Sequence, residues 1–148
     1  MSSEPGGLLM GDLPINACLE KLETASVGRL GVSMDALPVV LPVNFALDGN
    51  SIVIRTTPGT KLSAAINQAV VAFEVDDYDA ETARGWSVLV QGTAREITTT
   101  WGLERARSLP LRPVTPDGAS DRFVEVEMEI VTGRHIEPAP DGEVSPRA

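Results

Sequence analysis

Arg55 and Lys61 stand either side of Thr56-Thr57-Pro58-Gly59-Thr60, a run of hydroxyl and glycine residues between two cations. That spacing suits the capture of a phosphate. An anion needs donors and positive charge converging on a point that the backbone can approach closely. Thr56, Thr57 and Thr60 offer hydroxyls, and Gly59 removes the Cβ that would block approach. Thr60 is placed to cap a short helix whose first N–H groups would point back at the ligand. Lys61 is one of only two lysines in the chain, the other being Lys21, so its position does not reflect a lysine-rich surface. An exposed Pro-Gly turn often carries polar and basic residues for solvation alone, so the spacing by itself is a weak signal.

The elements that must position this loop are legible on both sides of it. Val39 to Leu47 and Ser51 to Thr56 are apolar β-runs flanking Asp48-Gly49-Asn50, a strong hairpin signal. Leu62 to Gln68 predicts a short helix after the loop. Upstream, Pro14 to Ala25 reads as a helix with Asp12 as its cap and Ile15, Cys18, Leu19 and Leu22 at helical spacing, and Val27 to Met34 as a strand. Downstream, Val70 to Val75 and Trp86 to Thr98 predict strands and Thr99 to Leu109 a helix, with Trp101 packed in it. Phe123 to Ile130 alternates strictly, placing Val124, Val126, Met128 and Ile130 inward and Glu125, Glu127 and Glu129 outward. Six strands with hairpin connections and short helices imply a mainly β fold, a six-stranded antiparallel split barrel, because long open edges invite aggregation. A sandwich is the alternative. The domain is expected over residues 12–136, with flexible tails at 1–11 and 137–148 rich in Pro, Gly, Ser and charge.

Composition bounds the function. A 148-residue chain with 43% hydrophobic and 22% charged residues has enough apolar mass for one core. Its formal charge of -9 argues against nucleic acid and against an anionic membrane surface, since phosphate backbones are held by Lys and Arg clusters. No apolar run reaches spanning length and the N-terminus lacks a signal-peptide pattern, so a cytoplasmic location is expected. Cys18 alone cannot form an internal disulfide and is expected to be buried; with one His, His135, metal ligands are too few for a structural zinc. The same single His leaves no Ser-His-Asp arrangement, and no catalytic side chain is assigned.

The order helix, VGRLGV, PVVLPVNF, DGNSIVIRTTPGTKL, VAFEVDD, GWSVLVQGTAREI and a closing VTGRHI resembles the pyridoxamine 5'-phosphate oxidase-like family, in its small flavin-binding split-barrel branch. The resemblance covers nearly all of the expected domain. It implies a homodimer with flavin at the subunit interface, the cofactor phosphate held by a strand-loop basic pair. On this likeness Arg55 and Thr56 match the end of the phosphate-binding strand, Thr60 and Lys61 the following contact, with Thr57 and Gly59 between them. Leu41, Pro42, Val43 and Asn44 fall where backbone groups meet the isoalloxazine ring, and Trp86 and Ser87 open the strand that flanks it. The oxidases proper begin the ring-contacting strand with an arginine, whereas Leu37-Pro38-Val39-Val40 is apolar, which argues against pyridoxamine phosphate as substrate. The resemblance therefore implies an FMN-dependent oxidoreductase acting on another small molecule. An F420-dependent reductase on the same fold and a flavin-binding dimer without turnover are the alternatives; the net negative charge favours FMN over the acidic tail of F420.

Overall fold

Strands with one apolar face must bury it against something, and here they do so against one another. The computed structural model describes residues 6–58 and 61–140. In chain order the elements are β1 (Leu8–Asp12), α1 (Ile15–Glu23), β2 (Val27–Met34), β3 (Leu37–Asp48), β4 (Ser51–Thr56), α2 (Lys61–Ile66), β5 (Val70–Asp79), β6 (Arg84–Glu96), α3 (Thr100–Arg107), β7 (Arg122–Glu127) and β8 (Ile130–Pro138).

All pairings are antiparallel and run β1-β8-β6-β5-β2-β3-β4-β7, with β7 returning to β6. The return closes a ring of β6, β5, β2, β3, β4 and β7, the six-stranded barrel expected. β8 and β1 extend it to eight strands. The barrel is split because two long strands change partners along their length. β3 pairs with β2 over Leu37 to Asn44 and with β4 over Phe45 to Asp48. β6 pairs with β8 over Gly85 to Gln91 and with β7 over Ala94 to Glu96.

Leu22, Leu30, Phe45, Ile52, Ile54, Phe73, Val88, Val90, Val124 and Val126 fill the interior, with Cys18 of α1 and Ile66 of α2 closing it. Phe45 and Phe73 meet edge to face at 4.7 Å between centroids, a favoured geometry for aromatic pairs. A second cluster outside the barrel places α3, through Ala106, on Val53 and Phe123. The β3–β4 hairpin turns through Gly49 at φ 58, the positive φ its sequence promised. Thr99 caps α3 by accepting from the Gly102 N–H at 3.0 Å.

Four expectations are corrected. Leu8 to Gly11, expected in a tail, form with Asp12 a strand paired to β8, and β8 itself runs past residue 136. Asp12 therefore faces Arg134 in the sheet and does not cap α1, whose N-cap position is Pro14 without a side-chain cap. Trp101 is 73% exposed on α3 rather than packed. Ile130 is 55% exposed rather than inward. The reason for the last is a β-bulge: between the pairs Gln91↔Ile130 and Ala94↔Val126, residues 92 and 93 of β6 face residues 127, 128 and 129. One extra residue inverts the alternation, so even positions point inward in β7 and odd positions in β8.

Candidate functional site

The change of partner in β3 creates an open edge. Phe45 N–H donates to Ser26 O at 3.0 Å, so alternate residues back to Leu37 turn their backbone polar groups to β2, and Pro38, Val40 and Pro42 turn theirs away. Both prolines sit at these outward positions, where the missing N–H blocks pairing with another strand. Outward there remain the Val40 N–H and the carbonyls of residues 38, 40 and 42. Leu37 and Val40 are 67% and 66% exposed along this edge. Leu41, Pro42, Val43 and Asn44, the residues expected beside a ring, all lie on this stretch.

The Asn44 side chain marks the point of divergence. Its Nδ2 donates to Ser26 O and its Oδ1 accepts from the Arg112 N–H, both at 2.9 Å, so the amide ties β2 and the segment after α3 to β3. Only its backbone is left to meet a ligand. Were the β3–β4 register continued, Thr56 would fall opposite Val43; instead the strands splay there, and half-buried Thr56 and Thr57 stand at the mouth of the gap. Gly59, Thr60 and the Lys61 side chain lie outside the described residues.

Arg55 makes its contacts inside the fold. Its guanidinium enters the segment that follows α3. Nε donates to Asp121 Oδ2 at 2.5 Å, while its terminal nitrogens donate to Leu111 O at 3.2 Å and Gly118 O at 3.3 Å. The group also lies 5.1 Å from the Phe123 ring centroid. Asp121, whose side chain is fully buried, accepts further bonds from the Val114 N–H at 3.0 Å and from the Thr115 N–H and hydroxyl at 2.8 and 2.5 Å. Burial pushes the Asp121 carboxyl up, but the Thr115, Val114 and Arg55 donors outweigh it and hold the group down at about 2. Arg55 in β4 is thus a structural cation, and the alternation of β4 explains why: Val53 and Arg55 share the outer face that α3 and its following loop cover.

Trp86 and Ser87 lie elsewhere. β5 and β2 separate β6 from β3, about 14 Å at ordinary strand spacing. Within one chain the structure does not bring them to the β3 edge. They also point to opposite faces: Trp86 is half-buried under α1, with Lys21 Nζ 5.4 Å from its ring centroid, and Ser87 faces outward. Asp121 was not legible beforehand; it sits in a Pro- and Ser-rich stretch whose only signal is polarity.

A split barrel with this partner exchange defines a class of protein. The model of the pyridoxamine 5'-phosphate oxidase family matches residues 15–135, and the chain belongs to that family. An uncharacterized protein of Mycobacterium tuberculosis is 34% identical over 130 residues, covering 84% of each chain. Among solved structures, an FAD-binding protein from Mycobacterium smegmatis superposes with a TM-score of 0.73 at 31% identity, over 85% of this chain and 97% of that one. An FAD-binding protein from Mesorhizobium loti gives 0.72 at 26% identity, over 88% and 99%. No helix among the described residues is long and apolar enough to cross a membrane.

Proposed function

We propose that the protein is a flavin-nucleotide-binding oxidoreductase acting on a small molecule, with the ring along the open edge of β3 and the phosphate at residues 56–61. The observation that carries this is the edge itself: an exposed stretch whose outward backbone polar groups have no strand partner among the described residues, protected by Pro38 and Pro42, ending where Thr56 and Thr57 diverge. Such a stretch can pair with the hydrogen-bonding rim of a planar heterocycle while its apolar side chains cover the ring. Bound there, the flavin supplies the two-electron chemistry, so the chain needs only to bind, orient and shield it. With Arg55 engaged by Asp121, we assign the phosphate contact of the expected pair to Lys61.

FMN is the cofactor that a single phosphate-binding loop suits; likeness to the two FAD-binding proteins favours FAD as the second reading. We also propose a homodimer, because Ser87 and the β3 edge border one ring only if two chains contribute.

Titration with FMN, FAD and F420 side by side tests the assignment. Lys61→Ala is expected to weaken the retained flavin by roughly 1.5–3 kcal/mol, the worth of a charge-assisted contact, or about 10- to 150-fold in Kd. Wild-type protein that takes up none of the three, or a Lys61→Ala variant with unchanged affinity, would remove the phosphate site from residues 56–61.

A further inference from the structure

Asn44 stands where β3 leaves β2 for β4, and its side chain binds two backbone groups from distant parts of the chain. The carbonyl of Ser26, just before β2, accepts from Asn44 Nδ2 at 2.9 Å and from the Phe45 N–H at 3.0 Å. The N–H of Arg112, in the segment after α3, donates to Asn44 Oδ1 at 2.9 Å. Asn44 opposite Val27 is the last pair of β3 with β2, and Phe45 opposite Ile54 is the first with β4. One half-buried amide therefore sits at the point of exchange and ties both sides of it.

The anchor it uses is itself held. The Arg112 N–H belongs to the peptide unit whose carbonyl, that of Leu111, accepts from Arg55 at 3.2 Å. Leu111 is buried with Ala46, Val53 and Phe123, and Arg55 is bound to Asp121. A rigid, planar peptide is thus clamped at both poles, by Arg55 on its oxygen and by Asn44 on its nitrogen. Hydrogen bonds run without a break from the buried carboxylate to the end of the open edge: Asp121, Arg55, the 111–112 peptide, Asn44, Ser26.

We propose that Asn44 is the positioning residue of the flavin edge. It fixes the backbone of Leu41, Pro42 and Val43 in the splayed arrangement that accepts the ring, on an anchor that Arg55 and Asp121 supply from inside the fold. This rests on the flavin reading above. An amide is required because one side chain has to donate to a carbonyl and accept from an N–H at the same point; Asp lacks the donor and Ala lacks both. The stretch before Asn44 is paired to β2 on one side and has no strand on the other among the described residues, so without the tie its place relative to β4 is no longer fixed. Only the fraction of molecules with the edge in place then binds, and the apparent affinity falls by that fraction. The loss applies to any ligand that carries the ring, with or without a phosphate.

Titration of the full chain with FMN, FAD and riboflavin, alongside thermal melts, tests this. Asn44→Ala should weaken the nucleotide and riboflavin by the same factor, about 10-fold, and shift the absorption spectrum of the flavin bound at saturation. Asn44→Asp, which keeps the acceptor but not the donor, should also weaken both. Lys61→Ala should weaken the nucleotide and leave riboflavin unchanged, because riboflavin lacks the phosphate. Thr99→Ala removes the α3 cap and should lower Tm by about 5 °C without moving affinity or spectrum, which separates positioning from stability. Asn44 variants with wild-type affinities and spectrum overturn the proposal, as does a loss confined to the nucleotide, which would put Asn44 at the phosphate. Wild-type protein that takes up none of the three removes the flavin reading itself, a failure distinct from either.

Discussion

Asp121→Ala is expected to destabilise the fold by about 3–5 kcal/mol, the usual cost of removing one partner from a buried ion pair. For a domain of this size that is a fall of roughly 10–20 °C in Tm. The Asp121 carboxylate gathers four donors from three residues, Val114, Thr115 and Arg55, and its removal strands the Arg55 guanidinium in a site only 11% exposed. Arg55→Met keeps apolar contact with Phe123 but leaves the carboxylate uncompensated, and should cost a comparable amount. The pH dependence has a definite sign. A carboxyl held at about 2 in the folded state and near 4 in the unfolded chain contributes stability that is present above pH 4 and lost as pH falls toward 2. Wild type should therefore lose stability on acidification more steeply than Asp121→Ala in denaturant titrations at pH 2.5 and 6. Equal stability of Asp121→Ala and wild type at pH 6 would refute the structural role of this pair. The same measurement bears on the cofactor: loss of flavin from an Arg55 variant has to be judged against its melting point, whereas Lys61→Ala tests the phosphate contact more directly.

Gly92→Ala should cost about 3 kcal/mol through overpacking and lower Tm by about 10 °C. A Cβ at Gly92 would overlap the Glu127 carbonyl oxygen and lie 2.9 Å from its carbon, and both are backbone atoms that cannot swing aside. The clash falls at the bulge where β6 passes from β7 to β8, beside Glu129, whose carboxylate accepts from the Thr93 N–H at 3.3 Å and hydroxyl at 3.0 Å. Relieving it opens the seam that closes the barrel. Gly31→Ala is the control: its added Cβ would meet nothing nearer than the Ala72 Cβ at 3.6 Å, an ordinary contact, and Tm should move by no more than a degree or two. Hydrogen exchange should show the loss in Gly92→Ala concentrated in β7 and β8; protection unchanged there, with a Tm equal to that of Gly31→Ala, would mean that the bulge tolerates a side chain.

The bulge also shows why element boundaries were less legible than elements. Val124, Val126 and Met128 alternate with Glu125, Glu127 and Glu129 so regularly that the pattern continues without a break to Ile130. Nothing local distinguishes an uninterrupted strand from one with an inserted residue, because the insertion is set by Gly92 on another strand, more than thirty positions away in sequence. Met10 and Leu8 in β1 were missed for a related reason. Their partner, β8, carries the Gly133, Arg134 and His135 of a strand end with weak alternation, and a short edge strand takes its structure from the strand it joins.

Local chemistry was enough for everything that depends on periodicity or on one turn. The hairpin at Asp48-Gly49-Asn50, the three helices and the buried Cys18 could be read from neighbours in the chain, because apolar alternation and positive-φ turns act over a few residues, while the family showed itself as a resemblance in the order of the motifs. What a charged side chain faces is a different matter. Arg55 and Lys61 are six positions apart and look like one site, yet Arg55 is drawn inward by a carboxylate 66 residues away. Arg29 is likewise held by Glu74 and Asp76, 45 and 47 residues distant. An ionised group follows the nearest opposite charge through space, and only the register of the closed barrel brings those charges within reach.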